Sequence, residues 1–113
     1  MMHSKELVKG TLQTIILKVL SDEDKMYGYE ITQKVKALSG EKILLSEGSL
    51  YPHLHRMEAE GLLTTETVYI GKRVRKYYSI TQTGESFVQQ RVEEFADFVR
   101  TMETMLDLKP AGI

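Results

Sequence analysis

The 113-residue chain has no cysteine, so it carries neither a disulfide framework nor thiolate chemistry. It has no excess of charge either. Fifteen Lys and Arg stand against 16 Asp and Glu, a net charge of −1, so the global positive charge common among nucleic-acid binders is missing. Long apolar runs are also missing. The longest, Ile15 to Leu20, is broken by Lys18 and falls far short of the ~20 residues a membrane-spanning helix needs. The opening "MMHSKELVKG" has no apolar stretch of the kind a signal peptide requires, and the expectation is a cytoplasmic protein.

Catalytic signatures are absent as well. There is no G-x-S-x-G, no Walker-type glycine loop and no H-E-x-x-H, and the serine and glutamate of "LSEGSLY" do not make a triad by being close in sequence. His53 and His55 are two residues apart, which on a helix separates them by about 200°, whereas helical zinc ligands need i,i+3 or i,i+4 spacing. We therefore expect no enzyme, no cofactor and no metal.

What is present is pattern. The 42% hydrophobic content suits one compact domain with room for an extra element. Lys5 to Leu20 places Leu12, Ile15, Ile16, Val19 and Leu20 on one stripe, predicting a single amphipathic helix. A polar turn, "SDEDK", follows. Ile31, Val35 and Leu38 predict a second helix over Tyr29–Leu38, closed by Ser39-Gly40. In "LSEGSLYPHLHRMEAEGL", Leu50, Leu54 and Met57 mark a third helix over 46–60, ended by Gly61 in a left-handed conformation. Pro52 is harmless there if Ser49 is the N-cap, so the helix is expected to begin late or be distorted near Gly48. Beyond Gly61, "LLTTETVYI" and "RVRKYYSIT" are rich in strand formers around Gly71, predicting a two-stranded hairpin. Thr81 or Thr83 can cap a last helix running to about Asp107, before a frayed tail, "KPAGI".

Three helices, a hairpin and a long helix give a mainly α fold with a small β-hairpin (α+β), in the order of a winged helix-turn-helix. We divide it into a DNA-binding domain over 1–81 and a dimerisation helix with tail over 82–113. Two features suit contact with DNA. On the third helix, Ser49, His53, Arg56 and Glu60 follow at steps of four, three and four, a side whose hydroxyl, imidazole and guanidinium can donate to phosphates or base edges. In the hairpin, "GKRVRK" holds Lys72, Arg73, Arg75 and Lys76 without an acid, with Tyr69, Tyr77 and Tyr78 nearby. Such a tip can straddle phosphates or enter a minor groove, although a charged edge also guards against strand-to-strand aggregation.

The last helix carries Val88, Val92, Phe95, Val99, Met102 and Leu106 at steps of 4, 3, 4, 3 and 4, an unbroken heptad seam widened by Phe98 and Met105. Packing as a fourth core helix is one use for it. Dimerisation fits better, because a helix of ~37 Å is longer than a small domain is wide. A two-fold dimer would also match a pseudo-palindromic operator.

"GSLYPHLHRMEAEGLL" and "GKRVRKYYSITQTG", preceded by "GTLQTIILKVL" and "YGYEITQKV", resemble the PadR family of bacterial transcriptional regulators. The resemblance covers about residues 8 to 84, and the short C-terminal part is similar to the family's compact subgroup with one dimerising helix. It implies a homodimeric winged-helix repressor relieved by an aromatic or drug-like effector. It places Ser49 and Tyr51 at DNA and Lys72, Arg73 and Arg75 in the wing, with His53 at a variable position. An effector pocket at the dimer interface would involve Phe95, Phe98 and Val92. The expected partners are operator DNA, a second copy of the chain and a small aromatic effector. The alternative is a winged-helix protein-interaction adaptor without sequence-specific DNA binding.

Overall fold

The computed structural model describes residues 1–108, so the expected tail over 109–113 lies outside the described residues. In chain order it has α1 (Lys5–Lys9), α2 (Leu12–Asp22), β1 (Met26–Tyr27), α3 (Gly28–Leu38), α4 (Glu47–Ala59), β2 (Leu63–Ile70), β3 (Arg73–Ile80) and α5 (Gln82–Met105). The sheet is antiparallel with strand order β1-β3-β2.

The first predicted helix is two helices. Gly10 weakens helix propensity at that point, and the Thr11 hydroxyl donates to the Val8 carbonyl at 2.8 Å in competition with the backbone ladder. Once separated from α1, α2 becomes the central helix of the domain. It buries Ile16, Leu17, Val19 and Leu20 completely or nearly so, because α3, α5 and β3 pack around it. Leu17 lies outside the predicted stripe for that reason.

On α3 the buried side is Gly28, Ile31, Thr32 and Val35, while Leu38 is 67% exposed and leaves the predicted register. The Tyr27 N–H donates to the Glu30 carboxylate at 3.2 Å, securing the first turn.

The third helix begins at Ser46, not Ser49. The Ser46 hydroxyl accepts from the Ser49 N–H at 3.1 Å, so Pro52 sits inside the helix as its sixth residue. The missing backbone bond is the one to the Gly48 carbonyl, and both residues lie on the exposed side, where water can take that carbonyl. The other end matches expectation. Gly61 has φ 79°, its N–H donates to the Glu58 carbonyl and the Leu62 N–H donates to the Met57 carbonyl, a complete Schellman closure with Leu62 and Met57 both buried.

The hairpin pairs Leu63 with Ile80 through Ile70 with Arg73. Gly71, at φ 62°, takes the first turn position of a type II′ connection, where only glycine is unstrained. The sequence pattern does not predict the third strand. Met26 pairs with Tyr78 and Tyr27 with Tyr77, which fastens the hairpin to the start of α3.

Tyr78 sits at the centre of the core, and its hydroxyl has no hydrogen-bond partner among the described residues. Burial pushes its pKa above the ordinary 10.0. With the folded value raised, stability is fully present below that pH and is lost as pH climbs through the folded pKa, because the unfolded phenol ionises first. Tyr78→Phe should therefore stabilise the protein by about 1 to 3 kcal/mol at neutral pH and flatten the alkaline loss. Tyr51, also shifted upward by burial, would leave part of that loss in place. Thermal melts at neutral and alkaline pH decide this, and a lower midpoint for the variant at neutral pH would show that the hydroxyl is satisfied.

The start of α5 is built into the domain. The Thr81 hydroxyl accepts from the Gly84 N–H at 3.0 Å and donates to the Gly61 carbonyl at 2.7 Å. A Cβ on Gly84 would collide with the Leu62 carbonyl and come within 2.6 Å of the Ile80 side chain, so only glycine lets the helix approach this closely. After Val88 the helix leaves the core, which explains a longest dimension of 54 Å against 30 and 23 Å.

Candidate nucleic-acid interface

The long axis of α4 is held by its buried stripe, Leu50, Leu54 and Met57, against the domain core. Tyr51 fixes its rotation. The Tyr51 ring packs over Gly28, where a Cβ would meet the phenolic oxygen at 2.7 Å, and the hydroxyl donates to the Glu47 carboxylate at 3.3 Å. Glycine at the first residue of α3 thus admits the tyrosine that locks the two helices of the motif together. Burial, helped by the Glu47 carboxylate, raises the Tyr51 pKa.

With the core stripe defined, the outermost line of α4 runs through Gly48, Pro52, His55, Arg56 and Ala59, all exposed. His55 was not among the expected DNA-facing residues, although counting round the helix from Leu50, Leu54 and Met57 locates it. Ser49 and Arg56 are exposed, and His53 is half-buried. The Ser49–His53 flank lies toward the N-terminal segment, with which both residues share a cavity. Small residues at 48 and 59 and a flat proline ring at 52 leave room for a close approach along this line.

The wing sorts its basic residues by neighbour. Lys72 and Arg73 occupy the turn, exposed and without an ion-pair partner among the described residues. Arg75 is half-buried, its guanidinium 4.4 Å from the centre of the Tyr27 ring. Lys76 faces the other side of the strand, 3.5 Å from the Glu58 carboxylate of α4. Two of the four cations are therefore free for a partner, and two hold the wing to the domain. Around the free pair stand Tyr69, Ile70 and Val74, exposed by 75%, 49% and 60%. That mixed apolar and cationic tip was not anticipated beyond the tyrosine.

At the opposite end, the expected dimer seam splits in two. Val88 is buried in its own domain, whereas Val92, Phe95, Val99 and Leu106 are 39%, 41%, 38% and 61% exposed. Met102 is half-buried. The Phe95 and Phe98 rings lie 6.2 Å apart and border a groove of about 620 Å³ shared with Leu7, Gly10 and Thr14 of the N-terminal helices. Val92 borders a separate groove, with Lys18 and Ser21 of α2.

A helical motif presenting one helix outward beside a hairpin wing defines a winged helix-turn-helix, a class of protein that binds duplex DNA. Residues 16–90 match the Transcriptional regulator PadR-like family, and the chain belongs to that family. It is 33% identical over 95 residues to Transcriptional regulator Rv3488 of Mycobacterium tuberculosis, an alignment covering 81% of this chain and 85% of that one. It is similar to the solved structure of a PadR-like transcriptional regulator from Bacillus cereus, at 31% identity and a TM-score of 0.76 over 90% of this chain and 97% of that one. A transcriptional regulator from Clostridium thermocellum is similar at 28% identity and a TM-score of 0.78, over 90% and 96%. The chain is a DNA-binding regulator of transcription, from a family of regulators and not of enzymes. No helix among the described residues is long and apolar enough to cross a membrane.

Proposed function

We propose that the chain acts as a homodimeric repressor. Residues 1–81 supply the DNA-binding head and 82–113 the dimerisation helix and tail. Each head meets one half of a pseudo-palindromic operator. The outer line of α4, with Arg56, Ser49, His53 and the exposed edge of Tyr51, enters the major groove. Lys72 and Arg73 reach phosphates beside it, and Arg75 braces the wing from its place on Tyr27. The observation that carries this is the conjunction of a free cationic tip with an exposed helix line on the same head, while α5 holds an uncovered apolar stripe.

Dimerisation follows from the same physics as core formation. Burying a large apolar side chain is worth roughly 1.5 to 3 kcal/mol, and its own chain leaves Val92, Phe95, Val99 and Leu106 of this stripe more than a third exposed. A second copy covers it, joining at Val92, Phe95, Val99, Met102 and Leu106, while Val88 belongs to the core of its own domain. The groove beside Phe95 and Phe98 would then be closed by the partner into a site for a flat aromatic effector, and Val92, which borders the separate groove, lies outside it. A dimer seated across an operator blocks access to it, and an effector that repositions the heads releases it.

Selection of bound duplexes from a random pool, with the purified full chain, tests this. An enriched inverted repeat, with half-site centres about one helical turn or a multiple apart, is the expected result. Arg56→Ala should relax preference at one position per half-site if Arg56 reads a base, and weaken all duplexes equally if it holds a phosphate. Recovery of no sequence, with binding insensitive to salt, would favour the adaptor role instead.

A further inference from the structure

A cavity of about 300 Å³ lies on the far side of α1 from the Phe95 groove, between the N-terminal segment, the 43–45 loop and α4. Val8, Leu12, Ile43 and Leu45 give it an apolar interior. Its polar border has one sign of charge. Lys5 and Lys9, four residues apart on one side of α1, stand there with His3 and His53, and no carboxylate lines the cavity. Neither lysine has an ion-pair partner among the described residues. The His3 N–H donates to the Lys42 carbonyl at 3.0 Å, tying the segment that forms one wall.

We propose that this cavity binds a small organic anion with an apolar body, such as an aromatic or branched aliphatic carboxylate, and that the bound anion weakens DNA binding. The apolar interior removes the body from water, and the lysine ammonium groups donate charge-assisted hydrogen bonds to the carboxylate. A DNA phosphate would satisfy the cations but has no use for a concave apolar floor. Ser49 and His53 connect the cavity to α4. An anion beside them places negative charge against the helix that meets a polyanion, and it fixes the N-terminal segment. This regulatory half rests on the DNA-facing role proposed for α4. The binding half does not.

Fluorescence titration of the full chain without DNA tests the binding half. The probe is 1-anilinonaphthalene-8-sulfonate, compared with N-phenyl-1-naphthylamine, which has the same aromatic body and no charge. The sulfonate should bind about tenfold tighter than the neutral amine. The double variant Lys5→Ala/Lys9→Ala should lose about that factor for the sulfonate and nothing for the amine. Both lysines lie on an exposed face, so the variant keeps its fold. Arg100→Ala, which removes an exposed cation that lines neither groove, should leave the sulfonate affinity unchanged. An unchanged sulfonate affinity in the lysine variant, or an equal loss in Arg100→Ala, overturns the assignment. For the regulatory half, saturating sulfonate should weaken duplex binding by the wild type and not by the lysine variant. Equal DNA affinity with and without a bound probe overturns that half alone, and failure to bind DNA at all would instead count against the DNA-facing role of α4.

Discussion

Phe95→Asp should turn the protein into a folded monomer and cost at least about a hundredfold in affinity for a two-site operator, because a lone head keeps only its own half-site. Phe95 is 41% exposed in the protomer and sits near the middle of the apolar stripe of α5. In a monomer the new carboxylate stays in water and the domain core, which ends at Val88, is untouched. In a dimer, two-fold symmetry would bring two carboxylates into one dry interface, and burying an unpaired charge costs several kcal/mol at each. The substitution therefore separates association from folding. Phe95→Leu, which keeps an apolar group, should retain the dimer. Sedimentation together with thermal melting reads both. A dimer that survived the aspartate would show that α5 associates through another face, or that the exposed stripe is covered by something else.

The fold was largely legible because its elements are long enough to have a period. The apolar spacing of α4 and α5, the β-branched and aromatic runs of the hairpin, and the glycines at 61 and 71 each state a local preference that the tertiary structure respects. What escaped had no period or was decided by neighbours. A two-residue strand, Met26–Tyr27, is too short for alternation and exists because β3 offers it an edge. Leu17 is buried, against the stripe, because α2 is packed on several sides, and Leu38 is exposed because α3 ends beyond the core. Ser46 takes the cap from Ser49 because one proline on an exposed side costs less than giving up a helical turn and an N-cap.

The site was legible by residue type and not by availability. Four basic residues in "GKRVRK" read alike in one dimension. Only the fold shows that Glu58, on α4, takes Lys76 and that Tyr27, on β1, takes Arg75. Likewise Ser49 and His53 share a helix side with Arg56, yet both border a cavity with the N-terminal segment and His53 is half-buried, whereas Arg56 is exposed and lies outside that cavity. Partners distant in sequence made those choices.

That sorting predicts unequal salt effects along the wing. Lys72→Ala/Arg73→Ala should lower the slope of log affinity against log salt by about two, since each phosphate that the variant no longer neutralises keeps roughly one counterion. Stability should hardly change, because both side chains are exposed and unpaired among the described residues. Lys76→Ala should behave differently. Its pair with Glu58 is more than a third exposed on the lysine side, an arrangement worth at most a few tenths of a kcal/mol after solvent screening, and its slope effect should be small. Arg75→Ala should disturb the packing on Tyr27 and lower affinity by loosening the wing, with less reduction of the slope than either tip residue. Tyr69→Ala or Val74→Ala, at the exposed apolar rim, should weaken binding with the slope intact, because apolar burial releases no counterions. Titrating one duplex at several salt concentrations with each variant distinguishes these outcomes. If the double variant keeps the wild-type slope, the tip does not touch the phosphates. If Lys76→Ala flattens the slope as much as Lys72→Ala, the ion pair to Glu58 opens on DNA and the division of the wing into free and committed cations is wrong.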